Sequence, residues 1–333
     1  MNVLLTSVGR RAYMVKYFQK ALNGNGEVHV CNSDKSVAFQ YADKSFIAPL
    51  IYDKEYIPFL LNYCKENDID ILISLFDIDL LILSKNKKKF EEIGTKVIVS
   101  DEPIIQVCND KWKTYLYLKQ NNFNVPKTYL SLDKVKNALK MGEVSFPLII
   151  KPRFGCGSLS LEKVYNEEEL EFFSKKASRE IANSYLKFES NSFEEKVIFQ
   201  EILKGQEYGG DIINDLSGVF QNAIIRKKIS MHGGETDIAE IVEMPVIYKE
   251  LKRLGESTGH IANMDCDIFL LGDTPYILEM NARFGGGYPF SHMAGCNLPK
   301  AIVEWLNGRK DVEQFLTATT GMVGYKELVI TRG

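Results

Sequence analysis

Glu279, Asn281 and Arg283 alternate with Met280 and Ala282. Successive side chains of a strand point to opposite faces, so an extended segment here presents a carboxylate, an amide and a guanidinium together. Carboxylate and amide oxygens are the hard ligands Mg²⁺ takes when substrate phosphates complete its shell, and arginine grips phosphate oxygens through two parallel N–H groups. The chemistry implied is a metal–phosphate site. An ordinary solvated sheet face would show the same spacing, so the surrounding elements have to decide.

Two apolar runs, Ile268–Leu271 and Tyr276–Leu278, flank a Gly-Asp-Thr-Pro break and predict a hairpin. A three-residue loop, Gly272 to Thr274, sets Asp267 opposite Glu279 and Asp265 opposite Asn281; a two-residue loop would set Cys266 opposite Glu279 instead. The first register is the expected one, and it makes Asp267, Glu279 and Asn281 candidate ligands of Mg²⁺ or Mn²⁺.

Upstream, the apolar run Leu148-Ile149-Ile150 ends in Lys151 and is followed by Phe154-Gly155-Cys156-Gly157-Ser158. A strand, a lysine and a glycine/serine loop suit a phosphate cradle, because glycine lets backbone N–H groups come close while the cation offsets negative charge. No Gly-Lys-Ser/Thr follows, so this is not a Walker A loop. Val197-Ile198-Phe199 leads into Gln200-Glu201-Ile202-Leu203 and then Gly205-Gln206-Glu207-Tyr208. An apolar strand offers main-chain donors and acceptors to a base edge, and a carboxylate suits vicinal hydroxyls. Farther on, Arg226, Lys227 and Lys228 sit on a strand, with Arg226 and Lys228 sharing a face. The loop after them carries His232, a candidate base or substrate contact that is as readily a surface group. In the first turn, Arg10 and Arg11 lie at an expected helix N-terminus, where an anion such as a carboxylate is favoured. With Gly9 alone in that turn the dinucleotide fingerprint is absent.

The segment Glu279-Met280-Asn281-Ala282-Arg283 resembles a signature of the ATP-grasp superfamily, in the branch typified by carbamoyl phosphate synthetase large subunits and biotin carboxylases, with Ala282 where proline is usual. The other marks precede it in the superfamily's order, so the resemblance extends over nearly the whole chain. It implies that Lys111, Lys151 and the loop with Gly155, Gly157 and Ser158 bind the phosphates of ATP. Glu201, Ile202 and Leu203 would line the adenine through backbone groups, and Glu207 would accept from the ribose hydroxyls. Arg283, Lys151 and Arg226 would stabilise charge on the transferred phosphoryl group beside Mg²⁺ or Mn²⁺ on Asp267, Glu279 and Asn281. Arg10, Arg11, His232, Glu235 and Gly286 fall in segments expected to choose the acceptor. The implied activity is an ATP-dependent ligase that activates a carboxylate as an acylphosphate and joins it to an amine. A kinase or carboxylase of the same fold, and a nucleotide-binding module without catalysis, are the alternatives.

These residues need rigid elements beneath them. Residues 1–108 alternate short apolar runs with amphipathic stretches, which predicts a parallel α/β sheet covered by helices and resembles a pre-ATP-grasp domain. Residues 109–199 are expected to form a central lobe with the glycine-rich lid, and 200–333 a lobe with antiparallel strands and the metal site. His260 closes an expected helix over Met244–His260, where a cation would suit the dipole.

The chain has 333 residues, 45% hydrophobic and 26% charged, enough for a substantial core. With Lys plus Arg at 41, Asp plus Glu at 44 and a net charge of -3, it lacks the basic field of nucleic-acid binders. Six scattered cysteines form no C-x-x-C pair, which argues against zinc and disulfide frameworks and fits a cytoplasmic protein. No apolar run approaches the ~18 residues of a membrane span. The expected partners are small-molecule carboxylate and amine substrates, with a second copy of the chain as the one candidate protein partner.

Overall fold

The structure, a computed structural model, describes residues 1–155, 160–190, 193–327 and 329–331. Gly157 and Ser158 lie outside the described residues.

The first sheet is parallel throughout, with strands β1 (Asn2–Thr6), β2 (Val28–Asn32), β3 (Lys44–Ile47), β4 (Ile69–Ser74) and β5 (Lys96–Val97) in the order β3-β2-β1-β4-β5. Helices α1 (Ala12–Leu22), α2 (Tyr56–Glu66) and α3 (Asp77–Glu91) cover it. Alternation along β1 explains why it is apolar at every inner position. Val3 and Leu5 enter one core with Met14, Val15 and Phe18 of α1, while Leu4 enters another with Leu60 of α2 and Leu83 of α3.

Helices α4 (Glu102–Asn109) and α5 (Lys111–Gln120) lead into the second sheet, formed by β6 (Thr128–Tyr129), β7 (Leu148–Pro152), β8 (Glu162–Val164) and β9 (Val197–Glu201). Its order is β6-β9-β7-β8, antiparallel, under α6 (Leu132–Lys140), α7 (Glu167–Ala182) and the short α8 (Lys187–Ser190). This sheet has its own core, in which Leu148, Ile150 and Phe199 meet Leu170, Ala177 and Ile181 of α7. Asn166 caps α7 by accepting from the Glu169 N–H, and Glu169 in return accepts from the Tyr165 N–H. The division expected at 199/200 falls inside β9, whose ladder with β7 runs through Glu201.

The third sheet is antiparallel, with β10 (Gln206–Asn214), β11 (Phe220–His232), β12 (Glu235–Val242), β13 (Ala262–Leu271), β14 (Thr274–Asn281) and β15 (Val323–Tyr325) in the order β14-β13-β10-β11-β12-β15. Met264, Cys266, Ile268, Ile277 and Met280 face a core shared with the first sheet and with Leu251 and Leu254 of α9 (Pro245–Thr258). On the opposite side of the first sheet, Ile213, Ile224 and Ile241 pack with α10 (Tyr288–Met293) and α11 (Leu298–Leu306). The first and third sheets therefore share continuous cores.

His260 does not serve as a cationic helix cap. Helix α9 ends at Thr258 with Gly259 in the left-handed conformation. His260 is fully buried, within 3.0 Å of Thr258 Oγ1 and 3.1 Å of the Ile212 carbonyl oxygen. Burial lowers its pKa to about 4, so it is neutral.

Candidate functional site

The hairpin of β13 and β14 pairs Asp265 with Asn281 and Asp267 with Glu279. The expected register is present, although its expected cause is not. Leu271 pairs with Thr274, so the loop is the two residues Gly272 and Asp273, and a bulge beyond Ile268 and Ile277 restores the alignment. The extra residue, Leu278, turns toward the same cleft as Glu279 and Asn281.

That cleft, about 410 Å³ in volume, lies between the second and third sheets. Its cationic wall is Lys111, Lys151 and Gly155, and its acidic floor is Glu207, Asp267 and Glu279 with Asn281. Arg226 and Arg283 close one end beside Arg11, Glu235 and Gly286. The other end is apolar where Ile149, Ile202, Leu203, Phe269 and Leu278 converge around Glu201.

Lys111 and Lys151 are brought together by a contact that motif reading missed. Arg153, just past β7, donates two 2.8 Å hydrogen bonds to the carboxylate of Asp110. Asp110 also caps α5 by accepting from Trp112 N–H at 3.0 Å. The Lys111 N–H donates to the Arg153 carbonyl at 3.0 Å, so the end of β7 is stitched to the start of α5. Lys111 Nζ then reaches the Gly155 carbonyl and lies 3.7 Å from Glu279 Oε1. Lys151 is buried, and desolvation lowers its pKa to about 8, assisted by Lys111 and opposed by Glu279 and Asp267.

A chain of alternating charges runs beneath the arginines. Arg226 bonds Asp211 and lies 3.0 Å from Asp265; Arg283 lies 3.2 Å from the other oxygen of Asp265 and 3.0 Å from Asp77, the first residue of α3. Burial opposes ionisation of Asp265, but Arg226 and Arg283 outweigh it and hold the carboxyl below its usual range. Asp77 and Asp211 went unnoticed in the sequence, and nothing there marks Asp265 as a partner of those arginines. Gly285 and Gly287 serve this network. A Cβ at Gly285 would come within 2.2 Å of the Asp265 carboxylate, and one at Gly287 within 2.7 Å of the Arg226 guanidinium.

Two expected site residues lie elsewhere. His232 is exposed at the end of β11, paired with Glu235 across the turn, and does not line the cleft. Arg10 is exposed at the rim, 3.8 Å from Glu235, because only Arg11 of that pair points inward, its guanidinium bonded to the Leu75 carbonyl. The Glu201 side chain caps the Lys127 N–H at 2.6 Å, and its own N–H donates to the Lys127 carbonyl.

Lys228 is the residue whose role the sequence left open. Its Nζ donates to Glu207 Oε1 and to Asp267 Oδ1, each at 2.6 Å. Burial works against its charge, but Asp267 and Glu207 prevail and raise its pKa above the usual lysine range. Burial raises the pKa of Asp267 despite that contact. Glu279, Asn281 and Asp267 offer two carboxylates and an amide on one surface, a donor set that fits Mg²⁺ sharing its shell with phosphates. No group of three or more acidic, histidine or cysteine side chains able to hold a metal by themselves occurs among the described residues.

Residues 108–287, more than half of the chain, match the family described as ATP-grasp domain. The chain belongs to the ATP-grasp family. Residues 3–98 of this ATP-grasp chain match the PylC-like N-terminal domain. It is 21% identical over 316 residues to the carbamoyl phosphate synthase large chain of Methanocorpusculum labreanum, covering 90% of this chain but 28% of that one. Among the solved structures that share its fold are the following two. The biotin carboxylase domain dimer of Hydrogenobacter thermophilus 2-oxoglutarate carboxylase, in complex with MgADP, ADP and bicarbonate, matches 93% of this chain and 70% of that one at 17% identity and TM-score 0.73. The L-amino acid ligase of Bacillus licheniformis matches 99% of this chain and 81% of that one at 18% identity and TM-score 0.72. No helix among the described residues is long and apolar enough to cross a membrane.

Proposed function

We propose that this ATP-grasp chain is an ATP-dependent carboxylate–amine ligase whose nucleotide lies in the cleft between the second and third sheets. The observation that carries this reading is the pairing of Asp267 with Glu279 and of Asp265 with Asn281, which turns acid and amide oxygens toward Lys111 and Lys151. The base fits the apolar end against Ile202, Leu203 and Leu278, the ribose hydroxyls meet the free oxygen of Glu207, and the phosphates run toward Lys111, Lys151 and Gly155.

A substrate carboxylate oxygen attacks the γ-phosphorus, the bond to the β-phosphate oxygen breaks, and ADP leaves. An amine nitrogen then attacks the acyl carbon and loses a proton, and phosphate departs. No covalent link to the protein is needed. Glu279 and Asn281 would hold Mg²⁺, which supplies charge neutralisation of the phosphates. Arg283 and Lys151 carry positive charge to the transferring group, while the carboxylates of Asp77 and Asp265 fix the guanidinium of Arg283 in place. Arg226, bonded to Asp211 and Asp265, belongs to the same scaffold at the acceptor end beside Arg11, Glu235 and Gly286. The three sheets correspond to an N-terminal unit, a lid and a catalytic lobe. The five described cysteines are free and buried, which fits a reducing compartment such as the cytoplasm.

The test is ADP release screened against paired carboxylates and amines. Release that needs both, with an amide as product, supports the ligase; release with the acid alone and an acyl phosphate as final product makes the chain a kinase. Failure of ATP to bind overturns the reading altogether.

A further inference from the structure

The cleft carboxylates are not equivalent. Glu279 lies 3.7 Å from Lys111 Nζ, whose hydrogen bond goes to the Gly155 carbonyl, so its oxygens remain open to the cleft. Asp267 has one oxygen held at 2.6 Å by the ammonium of Lys228, which holds Glu207 at the same distance. Lys228 stands on β11 and Asp267 on β13, with β10 between them. Two inter-strand spacings amount to roughly 10 Å, a gap the two side chains close by leaning over β10. Gly209, which pairs with both Arg226 and Asp267, has no side chain and so leaves Arg226 room to cross the same strand; a Cβ there would meet Arg226 Nη2 at 3.0 Å. Arg226 and Lys228 thus cross β10 side by side, the first to Asp265 and the second to Asp267.

We infer that Lys228 is a resident cation, its ammonium taking the place beside Asp267 that a second divalent ion would otherwise fill, so that nucleotide binds with a single divalent ion on Glu279 and Asn281. This inference rests on the metal–nucleotide reading above and refines it, since Asp267 becomes the anchor of Lys228 rather than a metal ligand. The charges support the assignment. A dication seated on Asp267 would lie within a few ångström of the ammonium and be repelled by it, at a half-buried position where solvent screens only in part. Lysine also leaves each acid its second oxygen, so that Glu207 can still accept from a ribose hydroxyl.

Mn²⁺ counting by electron paramagnetic resonance tests this on the full chain with a non-hydrolysable β,γ-imido analogue of ATP. Wild type should retain one Mn²⁺ per bound nucleotide. The K228M variant, which exposes Glu207 and Asp267 without their cation, should retain two, and K228R should stay at one. Two Mn²⁺ in wild type, or one in a folded K228M, overturns the inference and leaves the metal–nucleotide reading standing. Nucleotide bound with no Mn²⁺ overturns both. Should K228M fail to fold, the wild-type and K228R counts still decide.

Discussion

Arg283 Nη2 lies 3.0 Å from Asp77 Oδ2, and Arg283 Nε 3.1 Å from the same oxygen, although 206 residues separate the two in the chain. Asp77 opens α3 against the first sheet, whereas Arg283 follows β14 of the third, so the N-terminal unit aims the arginine that faces the cleft. Removing the charge at Asp77 leaves Arg283 attached to Asp265 but turned from its present position. D77N should therefore lower kcat for ADP release by about 10²-fold, the penalty expected for a misplacement near 1 Å, with little change in KM for ATP. Steady-state kinetics decide the matter, and an equal rise in KM with kcat intact would assign Asp77 to binding instead.

Glu279 faces the cleft, and its nearest cation is Lys111. Its carboxylate contributes nothing to the apolar core, whose members on β14 are Ile277 and Met280. E279Q should leave the thermal midpoint within a few degrees of wild type while kcat falls by at least about 10²-fold, the scale of losing one electrostatic contact to a transition state. A variant that melts like wild type and turns over at full rate would remove Glu279 from the metal site.

The reach and the limit of sequence reading both show in this hairpin. Alternation placed Glu279 and Asn281 on one face because the apolar partners Met280 and Cys266 demand the core, and that demand outranks the turn. The turn itself is tighter than expected, with Gly272 at φ 57, and the β14 bulge absorbs the difference. Burial fixes which face a strand shows; loop length cannot be read from a Gly-Asp-Thr-Pro string. Motif order likewise singled out Lys151, Glu207 and Arg283, which line one cleft. Their counterions were hidden. Asp77 meets Arg283 through the packing of separate sheets, and Asp110, Asp211 and Lys228 meet their partners across 15 or more residues of chain, which no local spacing encodes. Arg10 and His232 point to solvent, which local spacing does not show, because a turn residue's direction depends on the neighbouring backbone.

Lys151 is held charged in a buried place, and the site therefore costs stability. Its pKa falls from 10.5 in an ordinary setting to about 8. Between those values the unfolded chain holds a proton that the folded chain has lost, so stability rises with pH across that window. Below it the full penalty, at most about 3 kcal/mol, persists. K151M should accordingly raise the melting temperature at neutral pH by a few degrees and abolish nucleotide binding. In wild type, affinity for the ATP analogue should decline as pH climbs past about 8, where the lysine loses its proton. Calorimetric melts and titrations across that range measure both effects; a K151M protein that melts well below wild type would show that the lysine supports the fold.

His260, which does not line the cleft, gives a pH dependence of the same sign in a lower window. Buried between Thr258 and the Ile212 carbonyl, it titrates at about 4 in the folded chain, against 6.5 for the ordinary side chain. As pH falls through this interval the unfolded chain takes up a proton that the folded chain refuses, so stability present at neutral pH is progressively lost, by up to about 3 kcal/mol. H260N keeps a donor and an acceptor but does not titrate. It should be less stable than wild type at neutral pH by about 1–2 kcal/mol for imperfect hydrogen bonds, and that gap should close on acidification. Urea unfolding of both proteins at several pH values measures the gap, and curves that stay parallel down to pH 4 would show that His260 is protonated in the fold.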